Sequence, residues 1–359
     1  MNSILETKQG RRDFLKTLGL GVGALTLGDP RWLYAQAKKT ITIGTASNAR
    51  PIYGLALYSA SERILKPELG ISLNEKIFKG FIPSFAAMVR GDVDLSYQTL
   101  PALTRAIKEN FAVKGFLGYV EQFVFSMVAR SEIKSLDELV STIKKRARSE
   151  KKIKIASHSP SSQAHIAINE ILRAKGIDPK KDVEIIFLSG TPRRLAALKA
   201  KSIDATVIST SRAIESAMRG EVSILAKMSD FAPKQSVIIW VAGEETLAKR
   251  SEDVLKVTKA LIRSYRQMYT QNLKELAAFA VKQKPYSKIK PPEAVREAVK
   301  AAREMKLWPA DGGISDESIK TAQNFLVESG FMKPDNVLPV DQLITPKFRD
   351  QALKELGPA

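Results

Sequence analysis

GFIPSFAAMVRGDVD, residues 80–94, returns 110 residues later as GTPRRLAALKAKSID, residues 190–204, with Gly, the Ala-Ala pair and the final Asp at identical spacing. Outward from this pair, KTITIGTAS (39–47) matches KKIKIASHS (151–159), and SLNEKIFKG (72–80) matches DVEIIFLSG (182–190). Each copy reads strand, helix, strand, helix, strand. Short β-branched runs alternate with helical apolar spacing, which predicts an α/β fold whose two copies are each a mainly parallel sheet flanked by helices. Two copies predict two lobes. Ligands of open α/β sheets sit beyond the carboxyl ends of the strands, so the predicted site is the cleft between the lobes.

The composition fits two ordinary globular cores: 359 residues, 44% hydrophobic and 26% charged. The N-terminus stands apart. GRRDFLK (10–16), a Gly-rich apolar run (17–27) and Ala35-Gln36-Ala37 read as a secretory leader of the twin-arginine type over residues 1–37, removed near Lys38. A helix with four glycines between 19 and 28 would lose up to about 1 kcal/mol at each, so the leader reading prevails over a buried helix. Cysteine is absent, which excludes disulfides, a lipid-modified cysteine and thiolate chemistry. A soluble periplasmic protein is the expectation. The net charge of +19 raises nucleic acid as a partner. The lysines are scattered over helix surfaces, however, and no nucleic-acid-binding motif is visible, so the charge reads as a basic solvated surface.

The second copy is inserted into the first. The division is a leader (1–37), the first part of lobe 1 (38–130), an inserted lobe 2 (131–228), and the rest of lobe 1 with C-terminal helices (229–359). Residues 115–130 read as one apolar strand and 236–242 as another. Helical spacing covers 244–282, 292–304 and 315–329, separated by Pro and Gly breaks. Two crossings, near 129–131 and 228–235, form a two-strand hinge that permits closure around a ligand.

PIYGLALYSASERILKPELGISL (51–73), AAMVRGDVDL (86–95), SHSPSSQAHIAINEILRAKGIDPKKDVEIIFL (157–188), RLAALKAKSIDATVIST (194–210) and GISDESIKTAQNFLVESGFM (313–332) together resemble the solute-binding proteins of ABC importers. The similarity is to the nitrate, sulfonate, taurine and thiamine-precursor branch, with the type II periplasmic-binding fold. It implies a monomer without a cofactor, a small-molecule ligand, and delivery to a membrane permease with a cytoplasmic ATPase. The leader adds the twin-arginine export machinery as a partner.

Strand ends supply the candidate ligand contacts. In lobe 1 these are Ser47, Asn48, Arg50 and Tyr53, then Phe81 and Ser84, then Gln98 and Thr99. In lobe 2 they are His158, Ser161 and Ser162, then Thr191 and Arg193, then Ser209. The set is rich in hydroxyls and amides and almost free of acids, and several members open helices, where backbone N–H groups favour an anion. Arg50 and Arg193 offer the forked donor that recognises carboxylate or sulfonate. Phe81, Tyr53, Tyr97 and Tyr119 are candidate aromatic walls. Glu121 is the one nearby acid, able to pair a cationic ring instead. Asp92 and Asp94 fall at a helix-to-strand turn, away from the strand ends, and read as structural. His158 and His165 lack a third ligand at metal spacing. No nucleophile, base and orienter constellation is visible, so a binding protein is expected rather than an enzyme. The alternatives are an enzyme of the same fold, of the pyrimidine-precursor or menaquinone-pathway type, and a periplasmic ligand sensor.

Overall fold

Two five-stranded sheets of matching strand order carry the chain. A computed structural model describes residues 39–45, 52–78, 81–147, 149, 151–160, 162–232 and 238–358; the expected leader lies outside the described residues. The first sheet has the order β2-β1-β3-β10-β4, from Lys39–Thr45 (β1), Ile71–Ile77 (β2), Leu95–Thr99 (β3), Val113–Val120 (β4) and Ile238–Gly243 (β10). The second has the order β7-β6-β8-β5-β9, from Phe125–Arg130 (β5), Ile153–Ser157 (β6), Val183–Phe187 (β7), Ala205–Ser209 (β8) and Val222–Lys227 (β9). Helices run between the strands. Leu55–Ala60 (α1) and Lys66–Leu69 (α2) follow β1, Phe81–Val89 (α3) follows β2, and Leu100–Lys108 (α4) follows β3. In the second half they are Leu136–Arg146 (α5), Gln163–Ala174 (α6), Thr191–Lys199 (α7) and Thr210–Met218 (α8).

The repeated residues hold each sheet in the same way. Asp94 Oδ2 accepts the Thr42 N–H at 2.7 Å, and Asp204 Oδ2 accepts the Lys154 N–H at 2.9 Å. Each aspartate also meets an arginine, Arg250 for Asp94 and Arg130 for Asp204. Two residues further along the same strand pairs, Ser96 Oγ donates to Gly44 O at 2.7 Å and Thr206 Oγ1 to Ala156 O at 2.7 Å. The aspartates therefore clamp strand to strand, as their place in the turn implies.

The turns after α3 and α7 also match. Gly91 (φ 78°) and Lys201 (φ 57°) occupy the same left-handed position, with the paired bonds Asp92 N–H to Ala87 O and Ser202 N–H to Ala197 O closing the helix ends. A lysine there carries a backbone cost that glycine avoids. We expect Gly91→Ala to destabilise by about 1 kcal/mol, since no atom stands within 4 Å of the added methyl and only the backbone term remains. Lys201→Gly should stabilise by a few tenths of a kcal/mol to about 1. Urea midpoints measured on both variants check the pair, and shifts of the same sign would contradict it.

Residues 115–130 are two strands rather than one. β4 ends at Val120 in the first sheet, and β5 starts at Phe125 in the second, so the first crossing falls over 121–124 instead of 129–131. The apolar run is continuous because both strands are buried, β5 between β8 and β9 and β4 at the end of its sheet, and that continuity hides the break. The chain returns between Lys227 of β9 and Ile238 of β10. In both sheets the fourth strand in order is the exchanged one: β10 is antiparallel to β3 and β4, and β5 to β8 and β9. The sheets are thus mixed, with β1–β3, β6–β7 and β6–β8 parallel.

C-terminal to β10 the chain is helical: Glu244–Lys249 (α9), Ser251–Thr270 (α10), Leu273–Lys282 (α11), Glu293–Glu304 (α12), Asp316–Glu328 (α13), Val340–Leu343 (α14) and Lys347–Leu356 (α15). The core under the first sheet is aromatic. Tyr119 lies between Tyr97 and Trp240, 4.9 Å from each ring, and Tyr119 and Trp240 are fully buried. No helix among the described residues is long and apolar enough to cross a membrane.

Candidate functional site

A pocket of about 910 Å³ opens beyond the carboxyl ends of β3 and β6 and is lined from both sheets, where open α/β sheets place ligands. The first sheet contributes Thr99 and the opening turns of α4. The second contributes His158 and Ser159 after β6, Ser162 and Gln163 at the start of α6, and Arg194 in the first turn of α7. Phe123, in the first crossing, and Phe125 add aromatic surface, and α13 adds Ala322 and Leu326. A second cavity, of about 710 Å³, lies along α6 and the turn into β7, at His165, Arg173 and Asp178. It draws on one half of the molecule only.

Charge decides what the larger pocket can hold. Among the described residues none of its lining side chains is a carboxylate, whereas Arg105, Arg194 and His158 are all present. Arg105 is exposed and paired with Glu109. Arg194 differs. It is 4% exposed, and its described hydrogen bonds go to neutral oxygens, Nη1 to Leu188 O at 2.9 Å and Nη2 to Thr191 Oγ1 at 3.4 Å. Its Nε is buried without an acceptor among the described residues. Burial lowers its pKa from the usual guanidinium value, the direction expected for a desolvated cation. A buried cation without a counter-charge is costly to fold and is relieved by an anion.

The helix starts add to this. Thr99 occupies the cap position of α4 in extended conformation without a side-chain cap bond. Ser162 caps α6, accepting the His165 N–H at 3.3 Å and donating to Ser159 O at 2.8 Å. The first-turn N–H groups of both helices favour negative charge. His158 Nδ1 accepts the Gly190 N–H at 3.3 Å, so the proton of a neutral ring resides on Nε2, a donor.

Of the residues read from the sequence, the pocket gathers Thr99, His158 and Ser162. Thr191 touches it through Arg194. Arg193 is exposed on α7, and Ser209 stands half-buried at the cap position of α8. Ser84 and Gln98 are fully buried in a polar ladder within the first half: Gln98 Nε2 donates to Ser96 Oγ at 2.6 Å, and Ser84 Oγ lies 3.3 Å from it. Tyr53 packs edge-on against Tyr119 at 5.4 Å, and Tyr119 belongs to the core. Phe81 opens α3, and its side chain lies outside the described residues, as do Ser47, Asn48, Arg50 and Ser161. Glu121 is buried at the first crossing, beside Gly313.

Sequence reasoning missed Arg194, although a signal was available. In the repeat alignment Arg194 takes the place of the buried Ser84, and it lies four residues before Leu198 on one helix face. Arg193 aligns with Pro83 and faces solvent. Phe123 and Phe125 were read as the interior of a single strand, and Leu326 and Phe331 as plain C-terminal helix.

A family model described as the NMT1-like family matches residues 85–281. No curated protein matches the chain. Among solved structures, the periplasmic nitrate-binding protein NrtA of Synechocystis PCC 6803 superposes with a TM-score of 0.70 at 13% identity, covering 89% of this chain and 90% of that one. The alkanesulfonate-binding protein SsuA of Xanthomonas axonopodis pv. citri, bound to MOPS, gives 0.61 at 17% identity, covering 85% and 97%. The periplasmic aliphatic sulphonate-binding protein SsuA of Escherichia coli gives 0.63 at 15% identity, covering 87% and 99%. These likenesses establish the two-lobed periplasmic-binding fold, and the neighbours themselves are binding proteins.

Proposed function

We propose a function for a chain that belongs to the NMT1-like family: it is the solute-binding component of an ABC importer, capturing a small organic anion between its two sheets and delivering it to a membrane permease with a cytoplasmic ATPase. The observation that carries the anion reading is Arg194, buried in a pocket lined by no carboxylate among the described residues. The ligand's charged group is carboxylate- or sulfonate-like, which suits a forked guanidinium beside helix N-termini. The structural neighbours, a nitrate-binding and an alkanesulfonate-binding protein, support the same class. The proposal includes export as a soluble periplasmic monomer, with residues 1–37 as a twin-arginine leader. It keeps the inserted-lobe division and moves its first boundary to the crossing at 121–124.

The test uses the chain from Lys38 onward, by thermal shift against sulfonates, carboxylates, nitrate, pyrimidines and cationic thiamine-like rings. A ligand at one hundred times its Kd adds about 2.7 kcal/mol of stability, a shift of several degrees. Binding draws on both halves, so small-angle scattering should show a smaller radius of gyration with the ligand bound. Stabilisation by cationic rings alone, or a bound state with an unchanged scattering profile, overturns the proposal.

A further inference from the structure

The C-terminal contribution to the pocket is purely apolar. α13 and the turn after it supply Ala322, Leu326, Gly330 and Phe331, whereas His158, Ser159, Ser162, Gln163 and Arg194 all come from the second half. Residues 316–331 belong to neither sheet. Their shape is set locally. Gly330, at φ 73°, donates to Val327 O at 2.9 Å, and Phe331 N–H donates to Leu326 O at 2.9 Å. This two-bond helix end brings the residue after the glycine against the residue at the last-but-two helical position, here the pocket-lining pair Phe331 and Leu326.

The segment is also fastened in place. Gln323, 2% exposed, donates through Nε2 to Leu338 O at 3.0 Å and accepts the Leu338 N–H at 3.0 Å. The Phe325 ring lies 5.5 Å from that of Phe123 in the first crossing. A pre-set apolar wall in a pocket whose cation comes from a different element suits a ligand with two unlike ends.

We propose that the α13 segment is a third wall of the site, reading the carbon body of the ligand, with Leu326 and Phe331 setting its preferred length. The inference rests on the reading of the pocket as an organic-anion site. It adds a specificity element outside both sheets and predicts that simple inorganic anions bind weakly.

Calorimetry with straight-chain carboxylates from acetate to octanoate, with straight-chain alkanesulfonates of the same lengths, and with nitrate, tests it. In the wild type each added methylene should raise affinity about three- to fourfold until the pocket is filled. In Phe331→Ala that gain per methylene should fall, so that the loss of affinity grows from acetate to octanoate, and Phe331→Leu should restore most of it. Phe331 is only partly buried, so these variants should fold, and thermal unfolding verifies it. A wild-type series flat in chain length, or a Phe331→Ala series as steep as the wild type, overturns the third wall and leaves the anion reading standing. Failure of every carboxylate, and of the straight-chain alkanesulfonates of the same lengths, to bind overturns the anion reading, and this inference with it.

Discussion

Arg194→Gln should lower affinity for an organic anion at least ten- to a hundredfold while leaving the unliganded protein about as stable as before. The binding loss follows from removing a charge-assisted hydrogen bond, about 1.5 to 3 kcal/mol. The stability expectation has a separate basis. The guanidinium is 4% exposed and bonds only to the Leu188 carbonyl and the Thr191 hydroxyl among described partners. It therefore carries a desolvation cost that no carboxylate offsets. Glutamine loses part of those bonds and all of that cost, and the two changes oppose each other within about 1 kcal/mol. Calorimetry and urea unfolding on the same preparations separate the terms. If affinity and stability fall together, Arg194 is a structural brace of the loop between β7 and α7, and the anion assignment fails. Arg193→Gln, on the exposed face of the same turn, is the control and should change neither.

The sequence carried the fold far because the repeat is physical as well as textual. The aspartates at 94 and 204 and the hydroxyls at 96 and 206 recur since each sheet needs the same clamp between its incoming strand and its third strand. What stayed illegible is what repetition does not encode. The return of β10 to the first half was legible from the insertion, but the placement of β5 in the second sheet leaves no mark, because a strand buried between two neighbours reads as continuous apolar sequence whichever sheet it joins. The site was legible as a location, since strand-end and helix-start chemistry points to it. Thr99, His158 and Ser162 are where that rule puts them. The assignment of individual side chains was less legible. One residue separates Arg193 from Arg194, about 100° of helix, and only the alignment of Arg194 with Ser84 could have chosen between them. Leu326 and Phe331 reach the pocket from more than 110 residues beyond the last repeat unit, by a tertiary contact for which no local pattern exists.

Tyr265→Phe should cost about 2 to 4 kcal/mol of folding stability and leave anion affinity unchanged, the converse of the Arg194 result. Tyr265 lies on α10 and is fully buried. Its hydroxyl donates to Gly118 O at 3.0 Å and accepts the Trp240 Nε1–H at 3.0 Å. One oxygen thus ties α10 to β4 and to the exchanged strand β10. Burial raises its pKa far above the ordinary phenol value, so it is a neutral donor at every relevant pH. Phenylalanine keeps the ring packing, and the energetic effect is confined to hydrogen bonding. It leaves a buried indole N–H without its acceptor and the Gly118 carbonyl with one partner fewer, and an orphaned buried group costs about 1 to 3 kcal/mol. The shape around β4 leaves little room to relax: a Cβ on Gly118 would stand 2.8 Å from Gly312 O. Urea unfolding should show a lower midpoint with an unchanged slope. Tyr269, whose hydroxyl pairs with the backbone of Trp308 in a half-buried position, offers the comparison. Water can replace part of what Tyr269→Phe removes, so that variant should lose about 1 kcal/mol or less. Equal losses at both sites would contradict this reading, because the cost of losing a hydroxyl would then not depend on how deeply its bonds between α10, β4 and β10 are buried.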